Sequence, residues 1–405
     1  MSILERGDSP FQPGQPVSPN KFQGREDVIN EIVRYFPAAL HGKPQHFFIT
    51  GKRGMGKTSL AHFISNYAES NFSMITAHIM NDGVHSIDEL ITQIIERILN
   101  SIRPEKWSDK IFEFFDEHIE KIGIGGINIK FKPSKEELDN IKDNFAFYLT
   151  DLVNNFEDKD GIFIVIDDIN GLSETPEFAN WYKSFTDTLA TSFYEKAPIT
   201  IMLTGYPEKF NKLHDHNPSF SRIFHLHKVS TLNKTEIINF YKEIFESNNF
   251  KWEEESLKFM AKYSSGMPTM MQEIGEATFL VDNDYIISKK DGIQGIINAG
   301  KIIGLKYLQP LLDEKIRSEK YISILDKISE KLATSPDDTF TKKEFMDILS
   351  ESELKVFKDF ISRARKLGII ELASSKKQGV YQFTNNLYPI YFYIQTINKD
   401  KSKIR

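Results

Sequence analysis

The sequence predicts an α/β protein in which a parallel sheet is followed by an all-α segment and a C-terminal winged helix-turn-helix. Three observations carry that expectation. An apolar run, "HFFIT" (46–50), passes through the glycine-rich "GKRGMGKTS" (51–59) into a helical pattern. Apolar runs recur at 74–80, 161–166, 199–205 and 223–229, and helical stretches near 86–101, 135–157 and 177–193 separate them. Such alternation builds a parallel sheet with helices on both faces, and ligands then lie beyond the carboxyl ends of the strands. The last part of the chain reads as three amphipathic helices and a hairpin.

Residues 1–20 read as an extended arm, because "ERGDSPFQPGQPVSPN" (5–20) carries four prolines. The first domain is expected over 21–230, with an insertion at about 103–140. Its turn after "HFFIT" holds Gly51-x-x-x-x-Gly56-Lys57-Thr58, the full P-loop pattern. Glycines there let backbone N–H groups curl around phosphate, and the following helix N-terminus adds partial positive charge. The cradle is expected to comprise Gly51, Lys52, Arg53, Gly54, Met55, Gly56, Lys57, Thr58 and Ser59. Lys57 reaches the β- and γ-phosphates of a nucleotide, and the Thr58 hydroxyl ligates Mg²⁺.

The run "GIFIVIDDIN" (161–170) ends in two carboxylates. Asp167 is expected to hold Mg²⁺ through water, and Asp168 to orient and deprotonate the attacking water. "ITIMLTG" (199–205) ends in Thr204, read either as a group facing the γ-phosphate or as a simple strand end. Within the insertion, "IGIGGINIKF" (122–131) alternates isoleucines about Gly125-Gly126, a hairpin pattern. The pairs His214/His216 and His225/His227 would each share a face on a strand, but no further metal ligand accompanies them. "NKTE" (233–236) has the look of a guanine-recognition motif. It reads better as a helix start, with Asn233 as N-cap and Glu236 at N3, so GTP is not the expected nucleotide.

A helical lid is expected over 231–300, with Gly266-x-Pro268 opening one of its helices. The winged-helix domain is expected over 301–405, from "YISILDKISEKLA" (321–333), "TKKEFMDILS" (341–350), "SELKVFKDFISRARKLGII" (352–370) and the hairpin "IIELASSKKQGVYQF" (369–383). Lys355, Lys358, Arg363, Arg365 and Lys366 on its third helix, with Lys376 and Lys377 on the wing, are candidates to neutralise the phosphates of double-stranded DNA. The alternative is a module that binds protein.

Composition narrows the rest. The net charge is −6, yet residues 340–405 hold 13 Lys and Arg against 7 Asp and Glu. That asymmetry fits either a polyanion-facing module at one end or a solvated tail with extra lysines. The chain has no cysteine, which excludes disulfides and thiol catalysis and accords with a cytoplasmic setting. No apolar run approaches the roughly 20 residues needed to span a bilayer, so no membrane partner is expected. The start shows no apolar segment of a signal peptide.

Together these residues resemble the AAA+ and STAND-type ATPases. They look closest to the branch with archaeal replication-initiator ATPases and the prokaryotic "archaeal ATPase" group. The resemblance covers most of residues 20–400 at the level of motifs. It implies ATP and Mg²⁺ as ligands and slow hydrolysis. "KFQGREDVINEIV" (21–33) looks like that branch's upstream box, which implies that Phe22, Gly24 and Arg25 line the adenine pocket. Arg25 can equally serve as an ordinary ion-pair partner. Arg222 falls where the family contacts a neighbouring subunit's nucleotide, which implies a homo-oligomer; a rim ion pair is the other reading. Gly-x-Pro elements similar to Gly266-x-Pro268 approach the nucleotide in STAND-type proteins. Many AAA+ proteins place an arginine on the lid helix, and 268–279 has none. That departure points away from a motor and towards a switch. Two functions are implied: a DNA-engaging ATPase of initiator or loader type, or a STAND-like signalling switch, as in antiviral defence, whose C-terminal module binds a partner protein.

Overall fold

The structure is a computed structural model, and it describes residues 8–81, 83–101, 119–122, 128–156, 158–191, 197–334, 338–373 and 379–403. The chain divides into two compact units, one spanning Pro16–Ser230 and the other formed by the residues up to Gln15 together with Thr231–Arg405.

The first unit contains α1 (Glu26–Val33), α2 (Phe36–Leu40), β1 (Gln45–Thr50), α3 (Lys57–Phe72), β2 (Met74–Met80) and α4 (Ile87–Ser101). A hairpin of β3 (Ile119–Ile122) and β4 (Asn128–Phe131) follows, then α5 (Lys135–Asp143) and α6 (Phe145–Asn154). The unit ends with β5 (Gly161–Asp167), α7 (Pro176–Thr191), β6 (Ile199–Gly205), α8 (Pro207–His216) and β7 (His225–Lys228). Five strands form one sheet in the order β2-β5-β6-β1-β7, all parallel. Every residue of β5 and β6 is buried. Helices cover both faces of a sheet of this kind, so its central strands read as unbroken apolar runs rather than alternating ones.

The expected parallel core is therefore present. The β3–β4 hairpin lies where the isoleucine alternation placed it, and its Gly125-Gly126 tip lies outside the described residues. The helix expected over 135–157 is two helices, because Asn144 ends α5 and begins α6 with its side chain on the Asn140 carbonyl at 3.0 Å. The strand expected over 223–229 is shorter, since residues Phe220–Ile223 form a 3₁₀ turn.

In the second unit α9 (Lys234–Ser247) starts at Asn233. Its side chain accepts from the N–H groups of Thr235 and Glu236, and Glu236 returns the contact, a complete capping box. Then come β8 (Lys251–Trp252), α10 (Glu254–Tyr263), α11 (Pro268–Val281), β9 (Ile286–Ile287), α12 (Lys289–Ile303), a π-helical turn (Gly304–Leu308) and α13 (Gln309–Lys315). The last part holds α14 (Glu319–Thr334), β10 (Thr339–Thr341), α15 (Glu351–Lys366), β11 (Ile370–Leu372), β12 (Val380–Phe383) and α16 (Leu387–Lys403). Strands β10, β12 and β11 form an antiparallel sheet beside α14 and α15. The second of the three expected helices, 341–350, is only a 3₁₀ turn over Lys342–Phe345. Thr341 and Glu344 form a capping box there, but Ser350 caps α15 soon after and leaves no room for a longer helix. One apolar cluster runs from Leu232 to Phe392 and joins the segments that the sequence separates at residue 300.

The proline-rich arm is likewise shared. Phe11 is 4% exposed and lies edge-on to Phe245 at 5.6 Å, beside Phe240 and Tyr241. The Gln12 N–H donates to Gln272 at 2.8 Å, and Ser9 donates to Glu276. Gly275 makes the room: a Cβ there would sit 2.2 Å from the Phe11 ring. Further along, the Val17 N–H donates to the Ser59 hydroxyl at 3.1 Å, inside the first unit.

Phe11→Ala is expected to destabilise the second unit by about 3 kcal/mol or more, the usual cost of emptying a buried aromatic site. Gly275→Ala is expected to do comparable damage, because the ring must leave its seat. Denaturant unfolding of the full chain measures both.

Candidate nucleotide and metal site

The P-loop lies between the end of β1 and the start of α3. Gly56 is the N-cap of α3 with φ +81°, a conformation that costs a glycine little. Gly51 answers to packing: a Cβ there would lie 2.8 Å from the Val229 carbonyl oxygen, just past β7. Lys57 Nζ donates to the Gly51 carbonyl at 3.0 Å and sits 4.7 Å from the centre of the Tyr206 ring. Burial lowers the Lys57 pKa below its ordinary value, while Asp168, Asp167 and Glu208 pull the other way. Both predicted aspartates are thus close enough to act on the P-loop lysine. Lys52 and Arg53 are exposed, whereas Met55 and Ser59 are buried.

Strand order explains how the acids meet the loop. Because β6 lies between β1 and β5, its last residues stand between Lys57 and the acidic end of β5. Thr204 is wholly buried there. Its hydroxyl donates to Asp167 Oδ1 and accepts the Asp168 N–H at 2.9 Å. The single Thr204 proton is therefore committed to Asp167, and Thr204 acts on the site through the two acids. Asp167 is 1% exposed. Burial pushes its pKa up, but the polar contacts of His78, Thr204 and Thr58 outweigh that and hold it below the ordinary carboxylate value. Asp168 has φ +62°, an uncommon backbone state for a non-glycine residue and one that clusters at functional sites.

Thr58 and Asp167 supply hydroxyl and carboxylate oxygens, the hard donors that Mg²⁺ takes. Asp167 Oδ2 is buried without a hydrogen-bond partner, so the pair fits a cation. Among the described residues no group of three or more His, Cys, Asp or Glu is arranged to hold a metal. Mg²⁺ is commonly bound by one or two protein oxygens plus substrate phosphates, and this donor set matches that habit.

Arg25 has φ +64° at the start of α1 and is 8% exposed, and its guanidinium donates to the Met55 carbonyl of the P-loop at 2.7 Å. Phe22 stacks on Phe63 of α3 with ring centres 5.1 Å apart, and Gly24 has φ +75°. The upstream box thus sits against the P-loop and its helix. Arg222 is exposed in the 3₁₀ turn before β7, and no contact ties it to the acids. Pro268 is the first residue of α11 in the other unit. Gly266, with φ +71°, has its carbonyl on the Leu232 N–H at 2.8 Å, and a Cβ there would sit 2.5 Å from Leu232 O. Local packing therefore accounts for Gly266. His214 and His216 lie on α8, a helix, so they do not share a strand face; His225 and His227 do share one on β7, where they pack on Phe47.

Two residues at the site had no signal of their own in the sequence. His78 on β2 lies 3.5 Å from Asp167 Oδ2, and Asn81 just past β2 reaches the Asp168 carbonyl at 3.2 Å. Only the pairing of β2 with β5 reveals them.

Residues 21–181 match the AAA ATPase domain family. The DNA polymerase III subunit gamma of Buchnera aphidicola is 25% identical over 320 residues, covering 78% of this chain and 72% of that protein. Among solved structures, the ORC2 protein of Aeropyrum pernix, in ADPNP–ADP complexes, aligns over 97% of this chain and 99% of its own, with a TM-score of 0.59 and 10% identity. A Walker-type ATPase of Pyrococcus abyssi, PABY2304, aligns over 95% and 99% with a TM-score of 0.53 and 15% identity. At such identities the two structural likenesses concern the fold. Among the described residues no helix is long and apolar enough to cross a membrane.

Lys57→Ala is expected to abolish nucleotide binding in calorimetry, since it removes the cation beside the cradle. Thr204→Val keeps the shape but removes both hydrogen bonds. It is expected to leave ATP binding within a few-fold and to slow turnover by about 10–100-fold, the usual cost of losing a partner that orients a site's acids.

Proposed function

We propose that the protein is a switch that binds Mg²⁺-ATP, hydrolyses it slowly, and couples its nucleotide state to engagement of double-stranded DNA by the C-terminal module. The observation that carries the catalytic half is the Thr204 hydroxyl joining Asp167 to Asp168 within electrostatic reach of Lys57. The P-loop N–H groups and Lys57 bind the phosphates and hold the γ-phosphoryl in line. Mg²⁺, if held by Thr58 and Asp167, would supply positive charge beside the phosphate oxygens. Asp168 accepts a proton from the attacking water, and its fixed backbone aims the carboxylate. Arg222, exposed on the rim, suits a role on the nucleotide of a neighbouring copy, and this would require a homo-oligomer.

The DNA half rests on the exposed face of α15. Lys355, Lys358, Arg365 and Lys366 are exposed. Three of them border a concavity of about 550 Å³ shared with Tyr381 of β12. Arg363 contributes less, because its guanidinium donates to the Lys315 carbonyl at 3.1 Å. Lys376 and Lys377 lie outside the described residues. A second reading, that this module binds a partner protein, is favoured by Met346 and Ile348, 50% and 45% exposed in the turn before α15.

Asp168→Asn is expected to bind ATP normally and to lose most turnover; undiminished turnover removes Asp168 from the role of base. Duplex binding measured across a salt series tests the rest. About three phosphate contacts give a log–log slope near −3, and Lys358→Glu with Arg365→Glu should flatten it. Binding without any salt slope supports the protein-binding reading.

A further inference from the structure

We propose that the second unit holds a binding site for a small amphipathic anion, a carboxylate on an alkyl or aryl body. The body fills a cavity between α10, α12 and α16, and the carboxylate pairs with Lys301. The site lies wholly in the second unit and does not depend on the nucleotide reading.

The cavity has a volume of about 430 Å³. That is far more than the voids of a well-packed core and falls within the range of small-ligand pockets, about 300–1,000 Å³. Its floor is apolar: Ile296 of α12, Leu332 of α14 and Phe383 of β12 are all buried. Phe259 and Tyr263 line it from α10, and they are four residues apart, so they share one face of that helix. On α12 the same spacing places Ile293, Ile297 and Lys301 in one stripe along the cavity. Ile390, Tyr393 and Ile394 line it from α16. Gly300 lets these two helices meet: a Cβ there would lie 2.9 Å from the Ile390 side chain. Lys301, the next residue, is carried to that junction. Ile293, at the other end of the stripe, is 40% exposed and marks the mouth. Water among such walls finds few partners, and an apolar group that displaces it gains affinity.

The polar groups on the walls select the sign of the ligand. Two lysines approach the aromatic lining, and both are already paired. Lys262 lies 5.7 Å from the centre of the Tyr263 ring and is bridged to Asp338 at 3.2 Å. Lys289 lies 5.5 Å from the centre of the Phe259 ring and is bridged to Glu255 at 2.8 Å. Asp338, the one carboxylate on the described lining, is thus neutralised by Lys262. Asn386 is also committed, since its Nδ2 donates to the Lys262 carbonyl at 3.1 Å. Lys301 is different: among the described residues its ammonium has no ion-pair or hydrogen-bond partner, and the hydroxyls of Tyr263 and Tyr393 donate to none. The uncommitted groups are therefore an ammonium and two phenols, and each can donate to a carboxylate. A cation would find no free acceptor of comparable strength, and a neutral apolar molecule would leave the ammonium unused.

The test compares three probes of one shape. Octanoate, octanol and octylammonium are titrated into the full chain in a calorimeter, below the concentrations at which they aggregate. The expected result is one octanoate per chain, bound about 10-fold more tightly than octanol, with octylammonium weakest. Lys301→Met, at an exposed position, is expected to weaken octanoate about 10-fold and to leave octanol within about twofold. Ile297→Trp fills the cavity and is expected to abolish binding of both; if that variant does not fold, Ile293→Trp at the exposed mouth takes its place. Absence of saturable octanoate binding overturns the proposal, as does octanol binding as tightly as octanoate, or an unchanged octanoate Kd in Lys301→Met. Octanoate binding that survives filling of the cavity places the ligand elsewhere and also overturns it. A dimer in sedimentation that Ile293→Glu dissolves would make a second copy of the chain the occupant, and the small-anion assignment would fall.

Discussion

One hydroxyl group, that of Thr204, determines how the site can work. Two carboxylates in sequence at the end of a buried strand repel each other and cost free energy to desolvate. The structure spends the hydroxyl proton on the Asp167 carboxylate and its lone pair on the Asp168 N–H. One group thus stabilises the buried charge and fixes the backbone that aims the second. It can do so because β6 is inserted between the P-loop strand and the acidic strand. With β1 beside β5 instead, no side chain of β6 would reach both acids.

The same economy governs the lysine. Burial disfavours the Lys57 charge, and the nearby acids restore part of it. Its ammonium donates to the Gly51 carbonyl. Phosphate oxygens are stronger acceptors than a neutral carbonyl, so a nucleotide gains from replacing that contact. Arg25 does not compete for the phosphates, because its guanidinium is engaged with the Met55 carbonyl and braces the loop from behind.

What the sequence could disclose follows the range of each interaction. The P-loop, the Asn233 cap and the two acids are local patterns, and each was legible from spacing alone. The strands at 74–80 and 199–205 were legible to the residue because continuous apolar runs have sharp ends. His78, Asn81 and the dual role of Thr204 were not, since they depend on which strands are neighbours. Phe11 was hidden for the same reason: its proline-rich surroundings argue for an extended arm, and only Gly275, more than two hundred residues away, makes its pocket. The helix misjudged over 341–350 fails differently. Its apolar spacing is helical, but two capping boxes within ten residues, at Thr341 and Ser350, divide it.

Phe11 also lies close to one of the places where the chain passes between the two units. The chain crosses between the two units twice, at Gln15–Pro16 and at Ser230–Thr231. Each crossing is short and anchored close by. Before the first, Gln12 is tied to Gln272 of α11, and after it Val17 is tied to Ser59, the residue next to Thr58. Before the second, the Val229 N–H is bonded to the Thr50 carbonyl at the end of β1, and after it Leu232 is bonded to Gly266 ahead of α11. Each crossing is therefore pinned within a few residues on either side by hydrogen bonds inside its own unit.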